Sequence, residues 1–192
     1  MTRPAGALVA VLDANVLYPQ WLRDVLLTLA AMGYHDPVWS EQIIDEMRRN
    51  VLHDHPDIDP HHFDTVTIAA LRRAFPTAWT DVPASLITEM DNAPGDRHVL
   101  AAAVAAGAEV VVTANTGDFH SDRFVASGQI RIEDPAVFLT AALVEHDDVM
   151  AAVPEHLAAN RRGVHTVSDV LDELDRNHAL QRFVRLARTR LL

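Results

Sequence analysis

The chain has 192 residues and a mass of 21.2 kDa, and 49% of its residues are hydrophobic, enough to bury the core of one full-sized domain and too apolar for a disordered or collagen-like chain. Its 16 basic residues, all arginine, face 27 acidic ones for a net charge of −11, which excludes attraction of nucleic acid by net charge alone. The absence of cysteine excludes disulfides, zinc–thiolate sites and thiol nucleophiles, so any chemistry must use oxygen or imidazole.

The apolar run from Ala5 to Leu12 follows Arg3 as a signal peptide would, but Asp13 stops it and no A-x-A cleavage pattern follows, so it reads as a buried strand. Within it, Ala7 to Leu12 ends in Asp13-Ala14-Asn15, as a parallel strand covered on both faces would end. Trp21, Leu22, Val25, Leu26 and Leu29 then recur at helical spacing, with Gly33 as the stop. Pro37 to Trp39 reads as a short link, after which Ser40 caps a helix turning Ile43, Ile44, Met47 and Val51 inward. Asp59-Pro60 opens a helix through Phe63, Val66, Ala70 and Leu71 that closes at Pro76.

The second half repeats the alternation. A helix rich in alanine starts at Asp96 and stops at Gly107, Glu109 to Thr113 is the best strand in the chain, and Gln129 to Ile132 is another short one. Asp134-Pro135 starts the next helix, and beyond residue 143 only helical segments follow, separated near Arg162-Gly163 and at Asn177. The expected architecture is an α/β domain over residues 1–142 on a parallel sheet, with a helical C-terminal extension over 143–192. The longest strongly apolar run, Val99 to Ala108, falls short of the roughly 18 to 20 residues needed to cross a bilayer, so a soluble cytoplasmic protein is expected. Charge is unevenly placed, at +3 over residues 160–192 and −14 over the rest.

The acids fall at informative places. Asp13 ends the first strand, Asn115 and Asp118 lie just beyond the Glu109 to Thr113 strand, and Asp96 stands at the start of the helix between. Neighbouring strands of an open parallel sheet share one carboxyl edge, where ligands bind. Carboxylates drawn together there repel by roughly 3 to 4 kcal/mol per pair at an effective dielectric near 20, and the natural remedy is Mg²⁺ or Mn²⁺, which take carboxylate and water oxygens. Singly, these acids decide little: Asp96 suits an N-cap, and many strands end in aspartate. In the Ser40 helix, Glu41 and Glu46 both flank the apolar stripe and Asp45 points away, so periodicity does not choose between the glutamates.

Jointly they resemble a known family. Asp13 within Val11-Leu12-Asp13-Ala14-Asn15-Val16-Leu17-Tyr18, Glu46 within Trp39-Ser40-Glu41-Gln42-Ile43-Ile44-Asp45-Glu46, Asp96 within Asp96-Arg97-His98-Val99-Leu100-Ala101-Ala102-Ala103, and Thr113-Ala114-Asn115-Thr116-Gly117-Asp118-Phe119 match the PIN domain in order and spacing. The resemblance covers about residues 5 to 140 and, within PIN domains, is to VapC-type toxins of type II toxin–antitoxin pairs, including the helical C-terminus.

This resemblance implies a three-layer α/β/α fold around a central parallel sheet and a Mg²⁺-dependent endoribonuclease, with Mn²⁺ as a substitute. Asp13, Glu46 and Asp96 become metal-binding catalytic acids, and it is the family that selects Glu46. Many PIN domains carry aspartate two residues after the threonine; here that place holds Asn115, able to ligate through its amide oxygen, and Asp118 is the nearby acid that supplies the charge. Asn15, Thr113, Arg48 and Arg97 are the candidates for holding substrate, with Arg23 and Arg49 further arginines close in sequence. In-line attack by water is expected, leaving 5′-phosphate and 3′-hydroxyl ends. The partners implied are RNA, a small cognate antitoxin that blocks the acidic pocket, and a second copy in a homodimer.

Other patterns read more plainly. His53, His55, His61 and His62 cluster with Asp54, Asp57, Asp59 and Asp64, but Pro56 and Pro60 interrupt them and a solvated polar segment is expected. The stretch from Ala179 to Leu192 sets Phe183, Val184, Ala187 and Leu191 on one helical face and Arg182, Arg185 and Arg188 elsewhere, as a helix packed on the core would. The rival functions are a PIN-like binding module that has lost catalysis through Asn115, and a phosphatase of the haloacid dehalogenase type. The second needs an aspartate where Asn15 stands and a lysine that the chain lacks.

Overall fold

A computed structural model describes residues 8–158 and 166–192. Among these residues four short strands form one parallel sheet in the order β2-β1-β3-β4, with β1 at Leu8–Leu12, β2 at His35–Val38, β3 at Val110–Val112 and β4 at Arg131–Glu133. The two central strands are the most apolar, and Ala10, Val11, Leu12 and all of Val110 to Val112 are fully buried, as strands covered on both faces must be.

From β1 the chain turns at once through α1 (Ala14–Leu17) into α2 (Gln20–Ala31), whose exit is turned by Gly33 at φ +85°. Ser40 follows β2 and caps α3 (Glu41–Asp54), its hydroxyl accepting from Ile43 N at 3.3 Å. Asp59 caps α4 (Pro60–Phe63), which runs through a π-helical turn (Asp64–Ile68) into α5 (Ala69–Ala74), ahead of α6 (Ala84–Glu89). A 3₁₀ turn (Pro94–Asp96) leads into α7 (Arg97–Ala106), ended by Gly107 in the left-handed conformation.

After β3 a second 3₁₀ turn (Thr116–Phe119) precedes β4, and Asp134 caps α8 (Pro135–Glu145) through a 2.8 Å bond from Ala136 N. The helices α9 (Asp147–Ala158), α10 (Val167–Asp175) and α11 (Gln181–Leu191) complete the described chain. Helix α7, buried from His98 to Ala103, lies along β1, β2 and β3 and carries α3 and α6, while α2 and α8 pack with α9, α10 and α11. Two helical groups thus flank the sheet, and the α/β fold with a central parallel sheet is as expected.

Three differences from the sequence reading have local causes. The segment read as a link at Pro37 is strand β2, in register with β1 from Leu8 against His35 to Val11 against Val38. Proline is tolerated there because β2 is an edge strand. The strand read at Gln129 to Ile132 begins two residues later, at Arg131, because Gly128 (φ +78°) and Ser127 still belong to the preceding turn. The short helices α1 and α6 carry too little periodicity to be legible. Helix α8 runs through residues 142 and 143, and the break read at Arg162-Gly163 lies outside the described residues. Among the described residues no helix is long and apolar enough to cross a membrane.

Candidate active site at the carboxyl edge of the sheet

The register of the central strands sets the site. Leu12 pairs with Val112, so Asp13 and Thr113 leave β1 and β3 side by side, and Asp13 N still donates to Val112 O at 3.1 Å. Asp13 is 2% exposed and Thr113 fully buried. Thr113 Oγ1 and Asn15 Nδ2 each donate to Asp13 Oδ2 at 2.7 Å. The same Thr113 oxygen accepts from Asn15 Nδ2 at 3.0 Å and from Asn115 N at 3.1 Å, while Asn15 Oδ1 accepts from Ala114 N at 3.0 Å. Asn15 and Thr113, read from sequence as substrate-holding candidates, are therefore engaged with Asp13 and the chain after β3.

Asp96 sits at the N-cap position of α7, yet its side chain makes no capping bond, so the ordinary use of an aspartate at that place is not taken up. The loop before it is fastened to the Thr116–Phe119 turn: Ala93 N and Asn92 Nδ2 both donate to Asp118 O, at 3.0 and 3.4 Å. This brings Asp118 towards Asp96. Arg97 Nε donates to Asn92 O at 3.2 Å within the same loop.

From α3, the two glutamates that periodicity left open go to different places. Glu41 is exposed and paired with Arg72, whereas Glu46, 35% exposed, has Oε2 at 3.2 Å from Nε2 of the buried His98 on α7. Asp45 is exposed. Arg48 is turned to Asp64, with Nε and Nη2 donating to the two carboxylate oxygens at 2.5 and 2.9 Å, and Asn115 is exposed with its backbone N–H on Thr113. His98 was not singled out by the sequence; its one signal there is a polar residue amid a run of buried alanine, valine and leucine.

Like charge gathers around Asp13. Burial is the largest influence and lifts its pKa from 3.8 to about 6, against the lowering by its bonds from Thr113 and Ala14, and the charges of Asp96 and Glu46 add to the rise. Asp96 is raised first by burial and then by the charges of Asp118 and Glu46. Glu46 moves the other way, its contact with His98 holding it below the usual carboxylate range against its partial burial.

The model of the PIN domain matches residues 9–117, more than half of the chain. The chain belongs to the PIN domain family. PIN domains are generally nucleases and typically use divalent metals. The matched span holds Asp13, Glu46, Asp96 and Asn115 and ends one residue before Asp118. Neither the curated proteins nor the solved structures give a match.

The donor set of this PIN domain suits such a metal in chemistry. It is all oxygen, and the burial and like charge that raise Asp13 and Asp96 are what a cation offsets. Among the described residues no group of three or more His, Asp or Glu side chains is placed to hold a metal ion. Mg²⁺ does not require one, since it retains several waters and takes one or two carboxylates directly.

Proposed function

We propose that this chain is a Mg²⁺-dependent endoribonuclease, with Mn²⁺ able to substitute, and that it acts as a VapC-like toxin held inactive by a cognate antitoxin. The observation that carries the reading is the environment of Asp13, a buried carboxyl raised by its burial and by the charges of Asp96 and Glu46, with no basic side chain among its hydrogen-bond partners in the described residues. Asp13, Glu46, Asp96 and Asp118 are the proposed catalytic acids, and Asn115 adds an amide oxygen to their metal-holding set. A bound cation supplies Lewis acidity and a water activated for attack, and it makes an acidic pocket attractive to phosphate.

The chain's own residues set up that chemistry. Thr113 and Asn15 hold the Asp13 carboxylate in one orientation, and Arg97 stands beside the pocket to meet the flanking RNA backbone. Arg48 meets the same backbone only by giving up its bidentate contact with Asp64. Residues 1–142 form the nuclease unit in this reading and 143–192 a helical extension, and the protein works as a cytoplasmic homodimer.

Expression of the full chain in a bacterial host tests the toxin reading. Growth arrest with RNA fragmentation is expected, absent in the Asp13→Asn variant and relieved by co-expression of a cognate antitoxin. Folded wild-type protein that accumulates while growth and RNA remain intact would contradict it.

A further inference from the structure

His98 is a ring buried beside the candidate acids. It is the second residue of α7, two positions after Asp96, and its side chain is 4% exposed in a helix otherwise walled by Val99, Leu100 and Ala101. A polar ring in such a setting destabilises the fold unless it finds a partner. The group it meets is the Glu46 carboxylate on the facing helix α3, 3.2 Å from Nε2. The two atoms are in ion-pair contact and not in the line of a hydrogen bond: among the described residues Nε2 has no aligned acceptor.

Glu46 needs such a partner more than Asp13 or Asp96 does. Asp13 is short, buried and held by Thr113 and Asn15, and Asp96 is a short side chain at the start of α7. Glu46 reaches from the side of α3 on three rotatable bonds and is one-third exposed, so ordering it on cation binding would forfeit side-chain entropy. The ring that meets it has only two rotatable bonds, both fixed by core packing. Oε2 is the oxygen that meets the ring. Carboxylates that ligate metals are regularly held by a second, hydrogen-bonded group, whose loss weakens metal affinity by about 10- to 100-fold.

We propose that His98 is a positioning residue: its contact with Glu46 through Nε2 holds that carboxylate beside Asp13 and Asp96, so that it takes part in holding a divalent cation. The inference rests on the reading of the acidic pocket as a metal site. It assigns His98 no contact with RNA and no proton transfer.

Mn²⁺ binding to the purified full chain, followed by the electron paramagnetic resonance of the free ion, tests it without reference to cleavage. His98→Leu, similar in size and without a donor, is expected to weaken Mn²⁺ binding about 10- to 100-fold. His98→Gln, whose Nε2 reaches the same place, is expected to bind within about threefold of wild type, the recovery that a packing role alone does not produce. If His98→Leu does not fold, His98→Asn, too short to reach Glu46, provides the weak arm against His98→Gln. Folded His98→Leu with wild-type affinity, or His98→Gln as weak as His98→Leu, overturns the proposal for His98 alone. Asp13→Asn and Glu46→Gln run alongside; wild-type Mn²⁺ affinity in both overturns the metal-site reading and this inference with it.

Discussion

Thr113 Oγ1 donates to Asp13 Oδ2 at 2.7 Å across a separation of 100 residues, joining the ends of the two central strands at the bottom of the acidic pocket. The same hydroxyl accepts from Asn15 Nδ2 and from Asn115 N, so its donor and both of its acceptor sites are filled. Thr113→Val keeps the shape and removes all three bonds. A loss of about 1 to 3 kcal/mol of stability is expected by urea denaturation, together with weaker Mn²⁺ binding, whereas Thr113→Ser retains both. A valine variant as stable as wild type would show that the bonds do not hold the strand ends.

Asp13 makes the metal-free protein sensitive to pH. Its folded-state pKa of about 6 lies above the 3.8 of an unperturbed aspartate, so the folded state holds the proton more tightly than the unfolded state between those values. Stability is therefore lost as pH rises from about 4 to 6, by roughly 3 kcal/mol in total at 1.36 kcal/mol per pH unit. Asp13→Asn removes the loss: in EDTA at pH 7.5 it is expected to melt several degrees above wild type, with the gap closing near pH 4. Added Mg²⁺ or Mn²⁺ should raise the melting temperature of wild type and leave that of the variant unmoved.

His35 acts in the opposite direction. It is fully buried on β2, edge-on to Phe138 with ring centroids 5.2 Å apart, and among the described residues neither ring nitrogen has a hydrogen-bond partner. Burial lowers its pKa to about 3, while the unfolded chain takes up the proton near 6.5, so stability falls as pH drops from 6.5 towards 3. His35→Leu is expected to match or exceed wild-type stability at pH 7 and to show a shallower loss between pH 6.5 and 4 in denaturant titrations. An unchanged acid slope would remove His35 as its source.

The parts of this architecture that rest on local chemistry were legible in the sequence. Leu8 to Leu12, the caps at Ser40, Asp59 and Asp134, and the stops at Gly33 and Gly107 each announce themselves within a few residues. Strand β2 does not, because His35-Asp36-Pro37 lacks strand composition and becomes a strand only by pairing with β1. In the candidate site, Asp13 and Asp96 were visible as acids at element boundaries. Periodicity could not separate Glu41 from Glu46, and the distinction is tertiary: one meets Arg72, the other His98. Arg48 was a substrate candidate by its position near Glu46, but Asp64, brought back by the next helix, occupies its guanidinium. The contact between His98 and Glu46 joins residues 52 positions apart in helices α3 and α7, and no local pattern encodes it.

Incubation of total RNA with purified, antitoxin-free protein in Mg²⁺, Mn²⁺ or EDTA, beside folded Asp13→Asn and Asp96→Asn variants, tests the nuclease most directly. Cleavage that requires the metal, leaves 5′-phosphate ends and falls at least 100-fold in each variant is expected. Intact RNA with wild-type protein in either metal, or equal cleavage by the Asp13→Asn variant, would contradict catalysis at this pocket.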